Sequence, residues 1–260
     1  MNLWDLIVLN PILNFLVVLY GVLFHNFGIA IIVLTLLVRL VTMPLTLKQL
    51  KSTKKMQEMQ PKLAEIQKKY AKNKEKLAQE QMKLYRESGI SPLGCIVPML
   101  IQMPIWIALY QSIIRALAVT PEALADLSGH LYSWPLVNEL APLGSHFLWI
   151  NLAVPDGTML LPILVGATMW VQQKMVATPS PDPRQQSMTN MMQWMLPLMF
   201  ILFSLSFPAG LALYWMFSNV IGIAIQYVAV GGWGGLEPVA QMFKRKPKQQ
   251  TPAAKGAKGK

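Results

Sequence analysis

A single arginine falls near the middle of the first long apolar run. Between Phe27 and Leu47, Arg39 is the one charged side chain. That run of about 21 residues, at ~1.5 Å per residue, just spans a ~30 Å hydrocarbon core. A central Arg costs from ~3 to more than ~10 kcal/mol in lipid, so such residues normally face protein or trapped water. Thr35, Arg39, Thr42 and Thr46 recur at helical spacing, which places all four on one face. Snorkelling to the nearer interface is the plain alternative. Against it, Arg39 lies ~12 Å of helix from Leu47, farther than the side chain comfortably reaches. Helical side chains also lean toward their own N-terminus, here away from the basic end of the run. None of the twelve acidic residues falls inside an apolar span, so no carboxylate neutralises Arg39 within the membrane. The expectation is a hydrated, inward-facing arginine.

Composition agrees with an all-α integral membrane protein: 53% of residues are hydrophobic and 13% charged, against ~25% charged in soluble domains. The net charge of +11 is clustered, with twelve Lys/Arg and five Glu between Lys48 and Glu87 and seven Lys/Arg from Lys244 onward. Between Ser91 and Phe243 the basic residues are Arg115, Lys174 and Arg184. The pattern predicts five transmembrane helices, at 27–47, 92–117, 157–176, 190–205 and 208–230, with Ser206-Phe207-Pro208-Ala209-Gly210 breaking the last long apolar stretch. Residues 48–91 read as a basic cytoplasmic helical hairpin turning at Lys72-Asn73-Lys74, 118–156 as an outer loop, 177–189 as an inner loop, and 231–260 as a disordered basic tail. With the basic clusters inside, the N-terminus lies outside and the C-terminus in the cytoplasm. In residues 1–26, Asn10-Pro11 reads as an N-cap followed by the first helical position. That leaves a helix from Pro11 to Phe24 of only ~21 Å, too short to cross, and hence an outer interfacial helix.

Catalysis is disfavoured. The spans lack His, Asp and Glu, which removes the usual general bases. Cys95, the single cysteine, reads as a packing residue, and His130 and His146 are too few for a metal site. No enzyme activity, cofactor, metal or small-molecule substrate is expected. The spans instead carry neutral polar groups, among them Gln102, Gln172, Gln173, Tyr214, Ser218, Asn219 and Gln226. Each alone suits a helix–helix hydrogen bond; with the threonine face of Arg39 they suit a water-accessible cavity. Methionines at 99, 103, 169, 191, 192, 195 and 199 supply surfaces that adapt to varied apolar partners, although core filling is their commoner role.

Several stretches, in this order, resemble YidC-type membrane protein insertases of the YidC/Oxa/Alb family, which includes mitochondrial and chloroplast relatives. They are Val38-Arg39-Leu40-Val41-Thr42-Met43-Pro44-Leu45, Gln60-Pro61-Lys62-Leu63, Leu84-Tyr85 with Gly94-Cys95, and Pro98-Met99-Leu100-Ile101-Gln102-Met103-Pro104-Ile105. Gln172-Gln173-Lys174-Met175 and Phe207-Pro208-Ala209-Gly210-Leu211-Ala212-Leu213-Tyr214-Trp215 with Asn219 complete the series. The resemblance implies a five-span core around a hydrophilic groove, open to cytoplasm and lipid and closed outside. It makes Arg39 the groove arginine that attracts a client's charged tail, and it places Gln102, Gln173 and Trp215 in or beside the groove. Thr35, Thr42, Tyr214 and Asn219 are expected there with them. A lipid-facing slide maps onto Leu93–Ile114 and Met191–Leu205, represented by Met99, Met103, Ile107, Met192, Met195 and Met199. The hairpin and tail resemble recruitment elements, here Lys54, Lys55, Lys62, Lys68, Lys69, Lys244, Arg245 and Lys246. Some members carry a large folded domain or a lipidated Cys before the first span; neither is expected here.

The implied partners are nascent membrane protein clients and membrane lipids, with the ribosome and the Sec translocon as further candidates, in a bacterial plasma membrane. Two rivals remain: a small-solute transporter or channel, and an assembly factor that holds other spans without moving polar tails.

Overall fold

A computed structural model describes residues 2–71, 73–89, 96–117, 120–132, 143–177 and 183–236. Nine α-helices are present among them: α1 (Asn10–Val22), α2 (Phe27–Glu58), α3 (Gln60–Lys69), α4 (Lys74–Glu87), α5 (Ile96–Ala116), α6 (Pro121–His130), α7 (Leu160–Val176), α8 (Pro183–Ser206) and α9 (Ala209–Val230). A two-stranded antiparallel ribbon, β1 (His146–Phe147) and β2 (Ile150–Asn151), precedes α7. By length and composition, four helical segments suffice to cross a membrane: Asp5–Val22, Phe27–Glu58, Gln186–Ser206 and Ala209–Ala229. The protein is thus an all-α integral membrane protein.

Two local expectations fail. Asn10 does not cap α1: its backbone is helical, and its N–H donates to the Asp5 carbonyl, five residues back. The wider π-turn Asp5–Leu9 accommodates Pro11, which lacks an N–H and would crowd the preceding turn of a regular helix. The helical segment therefore runs Asp5–Val22, ~27 Å rather than ~21 Å, and its length no longer argues against crossing. The second concerns the basic hairpin, expected as an element of its own from Lys48. α2 continues unbroken through Pro44 to Glu58, because Lys, Gln, Leu and Met sustain a helix after the apolar run. The bend comes at Met59, and Pro61 follows in the first turn of α3, where its missing N–H costs no helical hydrogen bond. Lys54 and Lys55 therefore belong to α2. α3 and α4 then form the basic arm, and Asn73 caps α4 by accepting from the Lys76 N–H at 3.1 Å.

The dry core is confined to one end of the bundle. It combines Phe27, Ile31 and Leu34 from the first half of α2, Leu109 and Ile113 from the second half of α5, and Leu161 and Val165 from the start of α7. Leu211 and Leu213 of α9, Leu152 after β2, and Leu13 and Leu16 of α1 complete it. Backbone bonds close this ribbon end: the Ala209 and Gly210 N–H groups donate to the Val154 and Leu152 carbonyls at 2.9 and 3.0 Å. Asn14 ties α1 to α6, donating to the His130 carbonyl at 2.9 Å and accepting from the Tyr132 N–H at 2.7 Å. α9 packs most extensively on α7 and α2, and α7 also packs on α8.

Asp156 holds the start of α7. Its carboxylate accepts from the Thr158 N–H and hydroxyl at 2.9 and 2.7 Å and from the Leu161 N–H at 2.9 Å. Burial acts to raise its pKa, but these three hydrogen bonds outweigh it and hold the carboxyl below its ordinary 3.8. A depressed folded pKa adds stability above the unfolded value, and that stability is lost as pH falls through the folded one. Asp156→Ala should therefore cost about 1–2 kcal/mol at neutral pH. The gap from the parent should shrink below pH ~4, as measured by thermal unfolding in detergent across pH.

Candidate functional site

At the opposite, arm end the same helices diverge around a hollow with a water-accessible volume of about 650 Å3. α2 contributes Arg39, Thr46, Gln49, Leu50 and Thr53; α9 contributes Tyr214, Trp215, Ser218, Asn219, Gly222 and Gln226. α5, α7 and α8 supply the remaining wall. Its chemistry is mixed: α2 contributes mainly polar groups, α8 only methionine and phenylalanine, and α5, α7 and α9 both kinds.

Arg39 marks the boundary between hollow and core. Its Nε and Nη2 donate to the Ser218 hydroxyl at 3.0 and 2.7 Å, so the guanidinium turns toward α9 rather than along the helix toward an interface. Among the described residues no carboxylate lies within ion-pair distance of it. Gly222, one turn after Ser218, makes room for this arrangement. A Cβ there would collide with the Gln172 amide and lie 3.6 Å from Arg39 Nη2. Beside this group, Gln102 donates to the Tyr214 hydroxyl at 3.2 Å and Asn219 to the Thr168 hydroxyl at 3.3 Å.

An aromatic layer separates the hollow from the dry end. Trp215 stacks on Trp106 with centroids 5.9 Å apart and meets Phe200 edge-on at 4.9 Å. Phe207 lies edge-on to both Trp215 and Tyr110 at 6.3 and 5.4 Å. Offset and edge-to-face arrangements of this kind are the favoured aromatic geometries, each stabilising by roughly 0.5–1.5 kcal/mol beyond its area burial.

The expected groove residues are only partly gathered. Arg39, Gln102, Tyr214, Trp215 and Asn219 line the hollow. Thr35 does not: it is fully buried in the core, its hydroxyl donating to the Ile31 carbonyl at 2.6 Å. Thr42 is half-buried and donates to the Val38 carbonyl at 2.8 Å, outside the lining. Gln172, not Gln173, faces the hollow. Neighbouring helical positions point ~100° apart, and nothing local distinguishes the two amides.

Of the slide residues, Met103 and Met199 line the hollow, Met192 and Met195 are exposed on α8, and Ile107 is half-buried outside the lining. The Met99 side chain lies outside the described residues, as do Lys244, Arg245 and Lys246. Lys54, Lys55, Lys62, Lys68 and Lys69 are exposed on α2 and α3. Ser218, Gln172 and Gln226, named above among the polar groups of the spans, line the hollow, and Gly222, Gln49 and Thr53 join them unanticipated. The signal was present, since Ser218, Gly222 and Gln226 recur every four residues, and the stripe from Arg39 through Thr46 continues to Gln49 and Thr53.

Fold and site together define a membrane-embedded helical protein with a polar, arginine-bearing hollow at one end. Residues 18–231 match the model of the 60Kd inner membrane protein family, and the chain belongs to that family. It is 39% identical over 226 residues, 86% of its length, to the "Membrane protein insertase YidC" of Aeromonas salmonicida (strain A449), covering 36% of that protein. Over 230 residues, 88% of its length, it is 39% identical to the protein of that name from Histophilus somni (strain 2336), covering 38%. It thus spans little more than a third of the length of these curated relatives.

The hollow should be wet. In a background with Cys95 replaced, Ser218→Cys and Asn219→Cys should react with a membrane-impermeant thiol reagent, whereas Leu34→Cys and Leu109→Cys should not. Equal labelling at all four positions, or none, would contradict the division between hollow and core.

Proposed function

We propose that this chain is a membrane protein insertase and chaperone of the bacterial plasma membrane. The observation that carries the reading is Arg39, unpaired by any carboxylate among the described residues, on a water-accessible hollow midway along an apolar helix run. The names of its relatives point the same way. In this reading the basic arm and tail are cytoplasmic, the hollow opens toward them, and the dry core faces outside. Five helices, α2, α5, α7, α8 and α9, form the transmembrane core.

The mechanism is energetic. Water in the hollow shortens the low-dielectric distance that a client's polar tail must cross, and Arg39 draws acidic tails into it. The client's apolar segment meets the adaptable wall of Met103, Met199, Phe200 and Phe203, then moves past the exposed Met192 and Met195 into lipid. Its own hydrophobicity drives that exit. The exposed lysines of α2 and α3, together with the basic sequence from Lys244 onward, would recruit a ribosome or a Sec translocon. A transporter needs a continuous polar path, and the aromatic layer and apolar core favour an insertase over it.

Arg39→Ala should reduce insertion of clients with short acidic tails several-fold in proteoliposomes holding this chain alone, read by protease protection, while Arg39→Lys retains most activity. Equal loss in both variants, or in neither, would count against charge attraction. Ion or solute flux through client-free proteoliposomes would favour a channel instead.

A further inference from the structure

The ribbon end carries large apolar side chains that no part of the described chain covers. Phe147 and Ile150 pair across the ribbon, leaving Leu148-Trp149 as a two-residue turn. Leu148 adopts φ 53°, a conformation that such turns normally give to glycine. Leu148 and Trp149 are nevertheless 73% and 61% exposed. Nearby, the turn between α1 and α2 repeats the arrangement. Phe24 and His25 have φ 58° and 54°. His25 is exposed but tied back to α1, its N–H donating to the Tyr20 carbonyl at 3.1 Å and its ring edge-on to Tyr20 at 5.4 Å. Phe24 is left 90% exposed.

Depth along α2 says what these side chains meet. Gly28 precedes Arg39 by about 16 Å of helix, half the thickness of a hydrocarbon core. The Phe147 ring packs directly on Gly28, where any Cβ would overlap it. The ribbon is therefore pinned level with the hydrocarbon edge, and its turn and Phe24 lie in the headgroup zone, where Trp and other aromatic rings are favoured. A turn serving only to reverse the chain has no use for a strained leucine and an exposed tryptophan; a turn at the lipid surface does.

We propose that Leu148, Trp149 and Phe24 form an interfacial foot that dips into the lipid leaflet at the ribbon end and fixes the depth of α2, and with it of Arg39. This rests on α2 crossing the bilayer and not on the insertase reading. The test uses the full chain in phosphatidylcholine–phosphatidylglycerol vesicles, with Cys95 replaced and an environment-sensitive fluorophore on Leu148→Cys or, separately, Phe24→Cys. Nitroxides on the upper acyl chain should quench both positions several-fold more strongly than aqueous iodide does, and emission should be blue-shifted relative to the label in buffer. Stronger quenching by iodide at either position places that turn in water and overturns the proposal. Protection from both quenchers, as expected if a second copy or another protein covers the turns, overturns it equally.

Discussion

The bond between Arg39 and Ser218 joins α2 to α9 at the level where the bundle changes character. On one side, aliphatic side chains from α2, α5, α7 and α9 interlock; on the other, the same helices part around water-accessible space. A guanidinium cannot be buried dry without a counter-charge. It can sit at the edge of a hollow, with two N–H groups on a hydroxyl and the remainder toward water. The hollow is thus the condition for Arg39 to be there at all, and the packed half is what keeps that hollow from becoming a pore.

Small and aromatic residues maintain this arrangement from opposite directions. Gly222 keeps the wall of α9 thin where Arg39 and Gln172 approach it, and a methyl group there would displace the amide. Trp106, Trp215, Phe200 and Phe207 pack together immediately beyond, on the side formed by α5, α8 and α9. Some polar groups of the hollow pair across helices, Arg39 with Ser218, Gln102 with Tyr214 and Asn219 with Thr168. Such pairs hold their groups in place yet release them to water or to a passing peptide at small cost, because each bond is modest in net energy.

Arg39 and the break at Ser206–Gly210 were legible in the sequence because each violates a strong local expectation. The membership of the hollow was less so. Thr35 shares a helical face with Arg39, but one further turn along the helix lies inside the packed core, and periodicity carries no information on depth. Gln172 and Gln173 differ only in azimuth, which α9 decides. The Asn10 cap misled because Asn-Pro is a sound helix start in isolation; packing of Leu9 and Leu13 and a π-turn carried the helix past it. The length of α2 was missed because composition changes at Lys48 while helix propensity does not.

That length has a mechanical corollary. α2 is a continuous helix of about 48 Å, from Phe27 to Glu58 just before the charged arm, and it carries Arg39 partway along. Between Arg39 and Glu58 there is no loop, so tilt or rotation at the arm-side end of α2 is carried along the helix to the arginine, while the bend at Met59 separates that end from α3 and α4. Such a helix acts as a lever whose fulcrum lies where α2 packs against α9.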